Sequence, residues 1–156
     1  MATKKMAIIA TKGTLDMAYP PFILASTAAA LGYDVQVFFT FYGLQLLRKD
    51  LSDVKISPLG NPAMPMPVPM PVMVQMLPGM ESMATMMMKQ KLKKHGVAPL
   101  EELRDLCLEA DVKFIACQMT VDLFEIDKSE FIDNVEYGGA ATFIGFAGET
   151  DICLFI

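Results

Sequence analysis

Histidine, cysteine and glycine-rich loops are scarce in this chain, and each scarcity removes a class of chemistry. The single histidine, His95, follows Lys91, Lys93 and Lys94. A papain-like dyad would have to use it, but its place at the end of a helical stretch fits a solvated, capping role better. The three cysteines, Cys107, Cys117 and Cys153, stand at no metal-ligand spacing. So sparse and odd a set is no disulfide framework, and a reducing, cytoplasmic compartment is expected. Residues 117–120 read C-Q-M-T, a C-x-x-T without the resolving thiol of a C-x-x-C. No proline follows Pro99, so a thioredoxin-type site, with its cis-proline downstream of the cysteine, has no candidate. One glycine in "TKGT" (11–14) makes neither a P-loop nor a dinucleotide fingerprint, although its amides could hold a small anion. The apolar run near the N-terminus is too short for a signal-peptide core.

Charge is lopsided and locally absent. Thirteen basic against eighteen acidic residues leave a net charge of −5, which argues against a nucleic-acid surface. The one lysine cluster, "KQKLKKH" (89–95), reads as a helix end. Residues 56–80 carry no charge, yet they are no transmembrane helix: seven prolines interrupt them. A helix interior loses about 3 kcal/mol per proline. With 156 residues, 53% of them hydrophobic, the chain suits one globular domain spanning 1–156, with a Met/Pro-rich insertion at about 57–80.

What remains alternates between two periodicities. "KMAIIAT" (5–11), "DVQVFFT" (34–40), "VKFIAC" (112–117) and "DICLFI" (151–156) read as buried strands. Between them lie helical patterns. The stretch from Gly13 to Tyr33 has Phe22, Ile23, Ala25, Ala29 and Ala30 as its packing residues, Pro20 and Pro21 in its first turn, and Gly32 at its end. Residues 41–50 form a short helix. Residues 80–94 follow, with Met80, Met83, Met87 and Lys91 on one face and lysines closing the final turns. A helix from Pro99 onward presents Leu100, Leu103, Cys107 and Ala110. "TVDLFEI" is a short helix, "KSEFIDNVEYGG" is irregular and then helical, and "GGAATFIGFAGE" is a small-residue helix. Alternation of this kind implies βαβ units, a mostly parallel sheet covered on both faces, and ligands beyond the carboxyl ends of the strands.

That rule directs attention to Cys117, which ends its strand just before a helix can begin. Amides from Met119 to Asp122 could point at its sulfur, and the Thr120 hydroxyl is a further donor. If strands one and three are neighbours, Lys12 could add a positive charge. Asp122 and Glu125 oppose it. A lone cysteine on an apolar strand is more often a small packing residue than a nucleophile, and pattern alone leaves both readings open. Cys107 and Cys153 read as core, with Cys107 a possible second thiol.

Ten of the fourteen methionines lie between Met64 and Met88. Soft thioethers could bind Cu(I), but an uncharged apolar excursion is more simply buried against another subunit or a membrane surface.

"KGTLDMAYPPFILA", "GNPAMPMP…LPGME", "LEELRDLCLEADVKFIACQMTVDLF" and "VEYGGAATF" together resemble the DsrE/DsrF-like sulfur-relay family, in particular its stand-alone DsrE-like branch, across nearly the whole chain. Such proteins are often labelled peroxiredoxin-like. A peroxidatic site has Thr or Ser three residues before its cysteine, where this chain has Phe114. The resemblance implies a single-domain, flavodoxin-like three-layer α/β sandwich and a homo-oligomer. It also implies a sulfurtransferase or sulfur carrier whose sulfur-carrying cysteine falls on Cys117. The expected supports are Lys12, Gly13, Met119 and Thr120, with no metal and no organic cofactor. Sulfur donor and acceptor proteins or small thiols are the expected partners, with peripheral membrane contact as a further one and no nucleic acid. The alternative is a non-catalytic scaffold subunit that docks a partner or membrane through the Met/Pro-rich surface. An anion or nucleotide binder rests on fold analogy alone.

Overall fold

The computed structural model describes residues 2–56 and 71–156, so residues 57–70 of the expected Met/Pro-rich insertion lie outside the described residues. Five strands form the sheet: β1 (Lys5–Ala10), β2 (Asp34–Phe39), β3 (Lys113–Cys117), β4 (Val135–Gly138) and β5 (Ile152–Phe155). Their order is β4-β3-β2-β1-β5, and all pairings are parallel. The helices are α1 (Leu15–Ala30), α2 (Val72–Gln75), α3 (Met80–Lys94), α4 (Leu100–Glu109), α5 (Gln118–Leu123) and α6 (Ala140–Ala147).

The strand order explains the layers. From β1 to β4 the chain steps along the sheet in one direction, and from β4 it returns across to β5. With right-handed crossovers, steps in opposite directions place their helices on opposite faces. Accordingly α1 and α4 share a large core with Ile8, Val35, Val37, Phe39 and Phe114. On the other face Phe143 of α6 joins a smaller cluster with Ala7, Phe38, Ile115 and Cys117. The large core centres on Phe22, Phe39 and Phe114, whose ring centroids lie 5.2–6.0 Å apart. Full burial of each ring stabilises by about 2–3 kcal/mol.

Several local expectations change. α1 begins at Leu15, so Pro20 and Pro21 lie inside it and not in its first turn. Leu15 and Ala18 are buried against the core, and the Leu15 amide is taken by the Lys55 carbonyl at 3.0 Å, which anchors the earlier start. The stretch after β2 is a 3-10 helix, Phe41–Leu47. β4 was expected to be irregular or helical. It is a four-residue edge strand whose exposed Glu136 and half-buried neighbours give it too little apolar signal to read. In α3 the buried residues are Ala84 and Thr85, while Met83 and Met87 are exposed. The Thr85 hydroxyl accepts the Ile56 amide at 3.0 Å, which fixes that helix on the domain.

The least expected core residue is Arg104. It is buried in α4, and its Nη1 donates to the carbonyls of Leu46, at 3.0 Å, and Arg48. The guanidinium thereby caps the end of the 3-10 helix. Burial lowers its pKa, against the attraction of Asp105 and Glu101.

Candidate functional site

Cys117 is the last residue of β3 and the cap of α5. Its flanks follow from sheet register. β2 pairs with β3 through Phe39↔Ala116, so the next residue, Thr40, arrives beside Cys117. Thr40 has the parity of Phe38, which packs on the same face as Cys117. On the other side Cys117 pairs with Gly138 of β4, so that flank presents no side chain.

Four donors converge on the sulfur. Burial pushes the Cys117 thiol up. The Thr120 hydroxyl and amide, the Thr40 hydroxyl and the Met119 amide together outweigh it and hold the pKa below the ordinary value. Each hydrogen bond favours the anion over the thiol. Among the described residues, the groups that lower the Cys117 pKa are all neutral donors. The Thr120 side chain is fully buried. Its Oγ1 accepts the Phe41 amide at 3.3 Å and lies 3.2 Å from the Thr40 Oγ1. Phe41 has a positive φ of 48°, a left-handed conformation that costs a non-glycine residue about 1 kcal/mol or more. That strained turn aims its N–H at Thr120.

Of the expected supports, Met119 and Thr120 stand at the sulfur, and Lys12 and Gly13 do not take part in its hydrogen bonds. The condition placed on Lys12 is not met, because β2 lies between β1 and β3. Gly13 serves a close approach instead: a Cβ there would sit 2.5 Å from the Tyr42 carbonyl oxygen. Asp122 and Glu125 do not act on the sulfur either, and Asp122 accepts from the Gln118 side chain at 2.7 Å.

The second thiol is corrected. Cys107 is fully buried in the core on the opposite face, donates to the Phe22 carbonyl at 3.3 Å, and is pushed up to about 12 by burial. A thiol so placed stays protonated and closed to exchange. Cys153, expected in the core, is exposed because β5 is an edge strand. Sequence reasoning placed "FTFYG", after strand two, among the carboxyl ends where ligands bind, but singled out neither Thr40 nor Phe41. The signal was available only through register, since a residue just past β2 is 77 positions from Cys117.

Reach is narrow: Cys117 is only 5% exposed. The surface near the ends of β2 and β3 is apolar. Phe41, Tyr42, Met119, Leu123 and Phe124 are exposed, with Tyr42 stacked on Phe124 at 5.9 Å and Phe41 edge-on to it at 6.2 Å.

Comparison with known proteins gives three findings. The model of the DsrE/DsrF/DrsH-like family matches residues 2–155. Sulfur carrier protein DsrE2 of Allochromatium vinosum is 69% identical over 160 residues, covering 100% of both chains, and uncharacterized protein YrkE of Bacillus subtilis is 34% identical over 99% of this chain and 98% of its own. Among solved structures, the ychN protein from E. coli aligns with a TM-score of 0.57 over 99% of this chain and 100% of that one, at 12% identity, a likeness of fold alone.

Proposed function

The chain belongs to the DsrE/DsrF/DrsH-like family, and from that premise, with the four donors around Cys117, we propose that it carries sulfur on this one cysteine. The Cys117 thiolate attacks the outer sulfur of a sulfane donor. The new S–S bond leaves a persulfide on Cys117 as the donor's own bond to that sulfur breaks and the donor departs as its thiolate; tetrathionate, attacked at an inner sulfur, instead leaves Cys117–S–S–SO3⁻ as its central S–S bond breaks and thiosulfate departs. An acceptor thiol then removes the sulfur. The observation that carries this reading is the cradle of neutral donors, which favours an anion at the end of β3, where Cys117 is 5% exposed. It needs no second thiol, in keeping with the sealed Cys107.

The test is intact mass after incubation with polysulfide or tetrathionate. Because Cys153 is exposed, both proteins carry Cys153→Ser: the protein with Cys117 gains an adduct that a reducing thiol removes, and Cys117→Ser in that background gains none. The same adduct on Cys117→Ser would refute the assignment. Donor and acceptor proteins, and further copies of this chain, would meet the apolar surface around Phe41, Met119 and Phe124.

A second, compatible reading rests on the exposed methionines Met73, Met76, Met83, Met86 and Met87: docking of a partner or membrane beside the Met/Pro-rich stretch. No helix among the described residues is long and apolar enough to cross a membrane. Deletion of 62–79 would abolish that association and leave thiol chemistry intact.

A further inference from the structure

The sulfur is gripped from one side only, and the two hydroxyls of that grip are not equivalent. Thr120 Oγ1 already accepts the Phe41 amide at 3.3 Å. Its own proton can therefore go only to Thr40 or to the sulfur. Thr40 Oγ1, 3.2 Å away, has the same two choices. The pair has two protons to share among three contacts, and the Phe41 amide supplies Thr120 with the acceptor bond it would otherwise seek from Thr40. Both hydroxyl protons are thereby free to turn to the sulfur when it is negative. When the sulfur carries a second sulfur atom it is a poor acceptor, and the hydroxyls can bond to each other instead.

Resting on the carrier reading above, we infer that Thr40 and Thr120, held by the strained Phe41 turn, form a hydroxyl pair that favours sulfur release over sulfur loading. In release, an acceptor thiolate R–S⁻ attacks the outer sulfur of Cys117–Sγ–Sδ–H. The R–S–Sδ bond forms, the Sγ–Sδ bond breaks, and its electron pair stays on Sγ. The products are R–S–Sδ–H and the Cys117 thiolate, so atoms, charge and oxidation level balance. Negative charge appears on Sγ, the atom the pair touches. In loading the same atom gives up its charge, and the pair resists.

The two half-reactions therefore respond in opposite directions to loss of a hydroxyl. Less stabilised thiolates are better nucleophiles and worse leaving groups. Attack by a fully ionised thiolate quickens roughly threefold for each unit by which its pKa rises, while departure slows. Among the described residues, the groups that shift Cys117 are its burial and these neutral donors.

The experiment times the two steps separately in wild type, Thr40→Val, Thr40→Ser and Thr120→Val, after alkylation profiles have fixed a pH at which Cys117 is fully ionised in all four. Sodium polysulfide is the donor and glutathione the acceptor, and the adduct is followed by mass in proteins that all carry Cys153→Ser, since that thiol is exposed. Thr40→Val is expected to load as fast as wild type or up to a few-fold faster, and to release several-fold more slowly. Thr40→Ser restores both rates. Thr120→Val shifts the two steps in the same senses. Parallel change of loading and release in Thr40→Val, or no change in either, overturns the inference while leaving the carrier reading standing. Failure of the wild type to acquire any adduct overturns the carrier reading itself, and is seen before any variant is compared.

Discussion

Native alkylation with iodoacetamide across pH, read cysteine by cysteine from peptide masses, sets three environments against each other in one molecule. At pH 8 a thiol with the ordinary value of 9.0 is about one-tenth ionised, whereas Cys107, pushed up to about 12, is about one ten-thousandth ionised. Ionisation alone then slows Cys107 by about a thousandfold, and its complete burial slows it further, because reagent reaches it only when the domain opens. Exposed Cys153 reports unhindered access. Cys117 combines a lowered pKa with 5% exposure, so its absolute rate mixes two opposed effects. Its inflection does not: labelling should reach its plateau from a midpoint below 9.0. A Cys117 midpoint at or above 9.0 would refute the cradle. Labelling of Cys107 within tenfold of Cys153, with tertiary structure intact, would refute its exclusion from the relay.

Two further outcomes follow from the packing. Arg104→Met keeps much of the side chain's apolar length but strands the carbonyls of Leu46 and Arg48, and should cost about 2 kcal/mol in urea unfolding with an unchanged slope; relief of the buried charge keeps the cost from being larger. Gly43→Ala should destabilise more than Gly32→Ala, by about 2 kcal/mol or more, although only Gly32 has a positive φ. A Cβ at Gly43 falls on the Ala10 backbone carbonyl, which cannot swing aside, whereas Gly32 opens onto free space and costs about 1 kcal/mol. Equal melting shifts for the two would contradict the clash.

The parallel sheet was legible because "KMAIIA", "DVQVFF" and "KFIAC" are buried over most of their length and so read as apolar runs, interrupted inside a strand only by Gln36 of β2. The same rule hid β4. An edge strand needs only one buried neighbour, and in Val135 to Gly138 an exposed glutamate stands among residues that are only half-buried. Arg104 was invisible for a different reason. A helix pattern assigns charge to the outside, and the carbonyls at the end of a distant 3-10 helix offset the cost of its burial. Cys153 looked like core because "ICLF" is apolar, and nothing in a strand's own residues says whether another strand lies beyond it.

The site divides along the same line. Cys117, Met119 and Thr120 are contiguous, so the turn from strand into helix that aims their groups can be read from "ACQMT" alone. Thr40 is placed by pairing, through Phe39↔Ala116, and Phe41 by a backbone conformation that its side chain disfavours. A search for C-x-x-T would therefore recover three of the four donors and miss Thr40, along with the Phe41 amide that helps make the hydroxyl protons available to sulfur. The physical unit is the joined end of two strands, β2 closing with Thr40-Phe41 and β3 with Cys117 through Thr120. Any change that slips their register by one residue turns Thr40 to the opposite face of the sheet and leaves the sulfur with local donors only. Chemistry at Cys117 is in this sense a property of the β2–β3 pairing, and the fold is part of the reactive group.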